Sequence, residues 1–129
     1  MAGGPFIFVS TLRIKDGKLA EFKENAAKLA QLVEEKEPRL ISFNLYLDEE
    51  SGRTTLVQVH PDAASMGFHM SVVSEHMRGA FDFLTEEAAL VCGADSDGVV
   101  DQIRQWTAPE VPLTVTPAHV AGFTRTSKH

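Results

Sequence analysis

The hydrophobic period of this chain switches between two and 3.6 twice over, and no other feature limits its fold so strongly. From Phe6 to Ile14 the residues alternate, with Phe6, Phe8, Leu12 and Ile14 on one parity and Ile7, Val9, Thr11 and Arg13 on the other, which is the period of a strand. The turn Lys15-Asp16-Gly17-Lys18 closes it. Leu19, Phe22, Ala26, Leu29 and Val33 then recur at spacings of three and four, which places them on one helical face. Asp16 is a candidate N-cap, and Pro38 bars continuation of that helix. Leu40 to Leu47 alternates again, with Ile41, Phe43, Leu45 and Leu47 on one side and Leu40, Ser42, Asn44 and Tyr46 on the other. Asp48 to Gly52 has the chemistry of a hairpin loop, and Thr54 to His60 is its return strand. Pro61 and Asp62 open a second helix striped by Met66, Met70, Val73, Met77, Phe81 and Leu84, and Ala88 to Gly93 makes a fourth short strand.

The resulting order over residues 5 to 93 is βαββαβ, the α+β, ferredoxin-like pattern in which two helices pack on one face of an antiparallel sheet. Residues 94 to 129 are expected to extend the same domain. Ser96 can cap a short C-terminal helix carrying Val99, Val100, Ile103 and Trp106, and Leu113 to Phe123 can add an extended strand in which Pro117 marks an edge or a break. A length of 129 residues with 43% hydrophobic content supports one core of ordinary size. Two helices cover only one face of the sheet, yet the strands carry large apolar groups on both parities. The second face therefore needs a cover, and the expected one is a second copy of the chain in a homodimer. The alternative cover is residues 96 to 129 folding back.

Charge and composition narrow the partners. Twelve Lys and Arg stand against 18 Asp and Glu, for a net charge of −6 with the acids spread along the chain, so no basic footprint for nucleic acid exists. No stretch reaches the ~18 apolar residues of a spanning helix, so no membrane is expected as a partner. Pro5 to Val9 is too short for a signal h-region. Cys92 is the single cysteine, which precludes an intrachain disulfide and fits a reducing cytoplasm. There is no Gly-x-Gly-x-x-Gly, no phosphate loop and no Gly-x-Ser-x-Gly elbow, so neither a nucleotide cofactor nor serine hydrolysis is expected.

Three segments carry a family resemblance: the first strand leading to Lys15-Asp16-Gly17-Lys18-Leu19-Ala20-Glu21-Phe22, then Glu37-Pro38-Arg39-Leu40-Ile41-Ser42-Phe43, and the helical stretch Phe68-His69-Met70 followed by Glu75-His76. In these the chain resembles the antibiotic biosynthesis monooxygenase (ABM) superfamily of dimeric α+β barrel proteins. That resemblance implies a homodimer with a small apolar or aromatic ligand held between sheet and helices. It further implies a cofactor-independent monooxygenase acting on a small aromatic or quinol through a pocket base, or a non-catalytic ligand-binding or regulatory dimer. The haem-degrading branch of the superfamily carries an Asn in strand one and a Trp in the second-helix region. This chain has Ser10 and Thr11 in the strand and its only tryptophan, Trp106, elsewhere, so no haem is expected.

The candidate catalytic residues are His69 and His76, seven apart and hence nearly superposed on one edge of the second helix. Histidine titrates near pH 6.5, which suits proton abstraction from a phenol or enol. Asn44, Tyr46, Gln58 and His60 form the polar parity of strands two and three and are candidates to orient a flat ligand. His60, His69 and His76 lack a completing carboxylate or thiol, so no metal site is expected. Asp62 reads as a helix cap, Met66, Met70 and Met77 as packing, and Cys92 as a small buried side chain.

Overall fold

The computed structural model describes residues 4–125, so the last four residues of the expected C-terminal extension lie outside the described part. The order is β1 (Phe6–Ile14), α1 (Leu19–Lys36), β2 (Ser42–Asp48), β3 (Arg53–His60), α2 (Ala63–Ala80), β4 (Leu84–Cys92), α3 (Val99–Trp106) and β5 (Leu113–Thr116). The strands lie in the order β2-β3-β1-β4-β5, antiparallel throughout except for the parallel β4–β5 edge. This is the ferredoxin-like α+β arrangement with one strand and one helix added.

Register sorts every strand residue onto one of two faces, because directly opposed residues share a face and neighbours along a strand do not. On one face run the rows Phe43–Gln58–Phe8–Val91–Val115 and Leu45–Leu56–Ser10–Ala89–Leu113. On the other run Asn44–Val57–Val9–Leu90–Thr114 and Ser42–Val59–Ile7–Cys92–Thr116. All three helices pack on the first face. Leu29 and Val33 of α1 meet Val73 of α2 over Phe43, and Val99, Val100 and Ile103 of α3 join Phe6, Phe8, Ala89 and Val91. The C-terminal extension thus thickens the covered face and lengthens the sheet. No helix or strand among the described residues lies over the second face.

Several boundaries differ from expectation for local reasons. Helix α1 begins at Leu19 with Lys18 at its N-cap and no side-chain cap, so Asp16 belongs to the preceding turn. Asp62 caps α2 as expected, its Oδ1 accepting from the Ser65 amide at 3.0 Å. The α2 stripe is cut at Ala80, and Leu84 opens β4 instead of ending the helix. Helix α3 starts after Gly98, its Val100 amide donating to Asp95 Oδ1 and its Val99 amide to the Ser96 carbonyl. Strand β5 stops at Thr116, one residue before Pro117, where a ladder amide is no longer available.

One irregularity positions the site. Between β1 and β4 the pairing shifts from Thr11↔Ala88 to Leu12↔Glu86, so Glu87 is an extra residue on β4, a β-bulge. Without it Glu87 would oppose Leu12. With it Glu86 turns onto the helix-covered face, while Glu87 meets Arg13 and Arg53.

Candidate functional site

Between the covered face and the helices lies a cavity of about 80 Å³, room for on the order of five waters or one small ring. Its walls are overwhelmingly apolar: Phe8, Leu12, Leu56, Phe43, Met66 and Met70 among them. Phe81 and Trp106, each 40% exposed, also line it, and they mark its open rim. Five polar side chains line it, His69, Gln58, Ser10, Glu86 and Thr107, the last with its hydroxyl already spent on the Ile103 carbonyl. An apolar chamber with a few convergent polar groups is the usual form of a small-molecule site.

His69 is 4% exposed and its Nδ1 lies 2.8 Å from Glu37 Oε2 and 3.0 Å from Oε1. Glu37 is the C-cap of α1 and is itself 4% exposed. A carboxylate buried at the negative end of a helix is unfavourable unless a donor meets it, and His69 Nδ1–H is that donor. The chain turns at Pro38, directly after Glu37, which fixes where the carboxylate leaves the helix. The clamp holds the ring with Nε2 free, since that atom has no protein partner among the described residues and is not sealed from open space. The ring stands 5.6 Å from Phe43 and 5.8 Å from His60, centroid to centroid.

Beneath it, His60 is fully buried and bridges two groups, with Nδ1 2.7 Å from Ser65 Oγ and Nε2 2.8 Å from Gln58 Oε1. Burial first, and the neighbouring His69 second, lower its pKa to about 3, so the ring is neutral. The Gln58 carbonyl accepts, so Nε2 carries the proton and Nδ1 accepts from the Ser65 hydroxyl; the tautomer follows from this network. The Gln58 amide NH2 is thereby left without a protein partner among the described residues, and the side chain lines the cavity.

Elsewhere on the cavity wall Ser10 Oγ donates to Glu86 Oε2 at 2.5 Å. Burial raises the Glu86 pKa above the usual carboxyl range, and the Ser10 hydrogen bond opposes that shift.

Of the residues singled out from sequence, the structure brings His69, Gln58 and His60 together and leaves three outside. His76 turns toward α1, where its Nε2 lies 2.9 Å from Asn25 Oδ1, and it does not line the cavity; partial burial lowers its pKa. Asn44 and Tyr46 lie on the open face, Tyr46 60% exposed. The reason is the hairpin. Asp48 pairs with Arg53 across a four-residue loop closed by Gly52 in the left-handed region (φ 75°), so an even-numbered residue of β2 opposes an odd-numbered one of β3. Asn44 then meets Val57, not Gln58. Sequence reasoning missed Glu37, Ser10, Ser65 and Glu86 as site residues. Ser10 carried a signal, being the polar member of an otherwise apolar parity.

No protein-family profile matches the chain, and no curated protein does. Solved structures do share its fold. MupZ from Pseudomonas fluorescens matches over 97% of this chain and 92% of its own, with a TM-score of 0.75 at 18% identity. A protein of Nitrosomonas europaea provisionally named an antibiotic biosynthesis monooxygenase matches over 70% of this chain and 90% of its own, with a TM-score of 0.62 at 14% identity. Another of the same provisional name, from Bacteroides thetaiotaomicron, matches over 65% and 84%, with a TM-score of 0.59 at 16% identity. The chain therefore has the fold of ABM proteins, and the MupZ match is long enough to take in α3 and β5 as well as the βαββαβ unit.

Proposed function

We propose that this protein is a homodimeric, cofactor-independent monooxygenase that takes a small aromatic or quinol substrate into the cavity and deprotonates it with His69. The observation that carries this reading is the buried Glu37–His69 pair, whose imidazole lines an apolar chamber and whose Nε2 has no protein partner among the described residues. A carboxylate that fixes Nδ1 orients the ring and supports the positive charge it gains on taking a proton at Nε2. In this reading the Gln58 amide, whose oxygen is held by His60, donates to the oxygen that becomes anionic, within apolar walls where such donors are most effective. The resulting electron-rich anion transfers an electron to dioxygen and combines with it at a ring carbon bearing hydrogen. The hydroperoxide then loses water, breaking its O–O bond and that C–H bond. One oxygen atom enters the quinone product, the other leaves as water, and the substrate itself supplies the electrons. A chamber of this size admits a single ring more readily than a fused polycycle.

The homodimer rests on the open sheet face, where Ile7, Val9, Val57, Val59 and Leu90 are half-buried and no helix or strand among the described residues covers them. A patch of that kind is what a twofold interface covers.

The test is oxygen uptake with a panel of small phenols and quinols. His69→Ala is expected to lower turnover of an accepted substrate by about two to four orders of magnitude, and Glu37→Gln to lower it in the same direction, with thermal unfolding measured on both. Unchanged turnover in His69→Ala overturns the base assignment. Tight binding with no oxygen uptake in the wild type favours the non-catalytic ligand-binding reading.

A further inference from the structure

We infer that Glu86, seated by Ser10, determines specificity at the far end of the cavity from His69 by accepting a hydrogen bond from a hydroxyl or amine on the ligand. The inference rests on the proposed use of the cavity, but Glu86 has no part in the proton transfer described above.

Three observations carry it. The β-bulge at Glu87 puts Glu86 on the covered face, where an uninterrupted ladder would have aimed it at the opposite side; bulges recur where a side chain must be re-aimed next to a site. One of its oxygens, Oε2, is taken by Ser10. The other, Oε1, has no protein partner among the described residues and is not sealed off, while the side chain lines the cavity. Whether the carboxyl is ionised or carries its proton on the Ser10 side, Oε1 remains an acceptor. An acceptor among Leu12, Leu56 and Phe81 is desolvated, so it favours a ligand that supplies a donor and disfavours one that does not.

The two polar ends lie at different levels of the sheet. Gln58 opposes Phe8, and Glu86 opposes Leu12, four residues further along β1, or roughly 13 Å at 3.3 Å per residue. Both side chains line the same cavity, and a ring with a substituent at either end is the form of ligand that addresses both. A ligand with an ionisable hydroxyl at one end and a donor at the other satisfies both.

The experiment compares hydroquinone with 4-methoxyphenol, in which one oxygen has lost its proton, by calorimetric titration under nitrogen so that no turnover intrudes. The wild type is expected to bind hydroquinone about ten- to a hundredfold more tightly. Glu86→Leu should bring the ratio close to one while 4-methoxyphenol binds as well as before or better, and Ser10→Ala should lower the ratio part of the way. Ser10→Ala keeps the question open to refutation if Glu86→Leu does not fold. A purely structural Ser10–Glu86 pair would change the unfolding temperature and leave the ratio intact, which overturns the inference. Equal affinity of the two phenols for the wild type also overturns it and leaves the His69 reading standing. If neither phenol binds, the cavity reading falls and this inference falls with it.

Discussion

The two faces of the sheet place their polar groups differently. On the helix-covered face, polar side chains that reach inward are tied in short chains: Glu37 to His69, Ser65 to His60 to Gln58, and Ser10 to Glu86. On the open face the central rows are mostly β-branched and aliphatic, Asn44 and Tyr46 stand at the β2 side, and the paired polar groups lie at the ends of the strands, as in Arg13–Glu87–Arg53. Desolvation explains the first pattern, since a buried polar atom left unpaired costs about 1–3 kcal/mol. The second is what a surface looks like when it is finished by another surface. The difference teaches that the proposed site and the proposed interface draw on opposite parities of the same strands.

The strongest way to break this contrast is to put a charge on the open face. Val57 lies at the centre of the row Asn44–Val57–Val9–Leu90, and Val57→Lys would bury two ammonium groups, one from each copy, in the proposed interface. The dimer dissociation constant is expected to rise by at least about a thousandfold, because an unpaired buried charge costs several kcal/mol. Light scattering at micromolar concentration should then report a monomer near 14.1 kDa that keeps its helical circular dichroism. A variant that stays dimeric moves the interface off this face.

A smaller effect separates the covered face by pH. His60 takes up a proton only at about 3 in the folded protein, against an ordinary value of 6.5, because of its burial and then its neighbour His69. Between those values the unfolded chain binds the extra proton and the folded one does not. Stability from this group is therefore complete above pH 6.5 and declines as the pH falls toward 3, by about 1.4 kcal/mol per unit, or about 2 kcal/mol at pH 5. Urea unfolding at pH 7 and pH 5 measures it, and His60→Gln should flatten the difference. Equal slopes in wild type and variant would show that another group sets the pH dependence.

The sequence makes the faces legible but not their pairing. Phe6, Phe8, Leu12 and Ile14 are found together on the covered side as their alternation requires, and βαββαβ follows from the changes of period. Local pattern cannot reveal where one strand slips against another. The four-residue hairpin loop decides that Asn44 and Gln58 part company, and the bulge at Glu87 decides that Glu86 and not its neighbour enters the cavity. Glu37 was visible as a residue before a proline, yet its role depends on a contact with His69, 32 positions away. Long-range pairing of this kind leaves no periodicity to read.

His76 should give the smallest effect, and it is the sharpest check on the comparison because spacing alone sets it equal to His69. Seven residues return the helix to nearly the same direction, but the two rings meet different neighbours. His69 lies over the sheet between Glu37 and the cavity, whereas His76 lies further along α2, half-buried, facing Asn25 on α1. Its loss removes one hydrogen bond at a partly wet helix–helix edge, so His76→Ala is expected to cost about 1 kcal/mol or less and to leave turnover of any accepted phenol unchanged. Asn25→Ala should match it in size, and the double variant should cost less than the sum, since both substitutions break the same contact. Thermal unfolding and oxygen uptake on the three variants decide the point. A fall in turnover of a hundredfold in His76→Ala, with stability intact, would mean that the proton is handled on the α1 side of α2 and that the Glu37–His69 pair is a structural clamp.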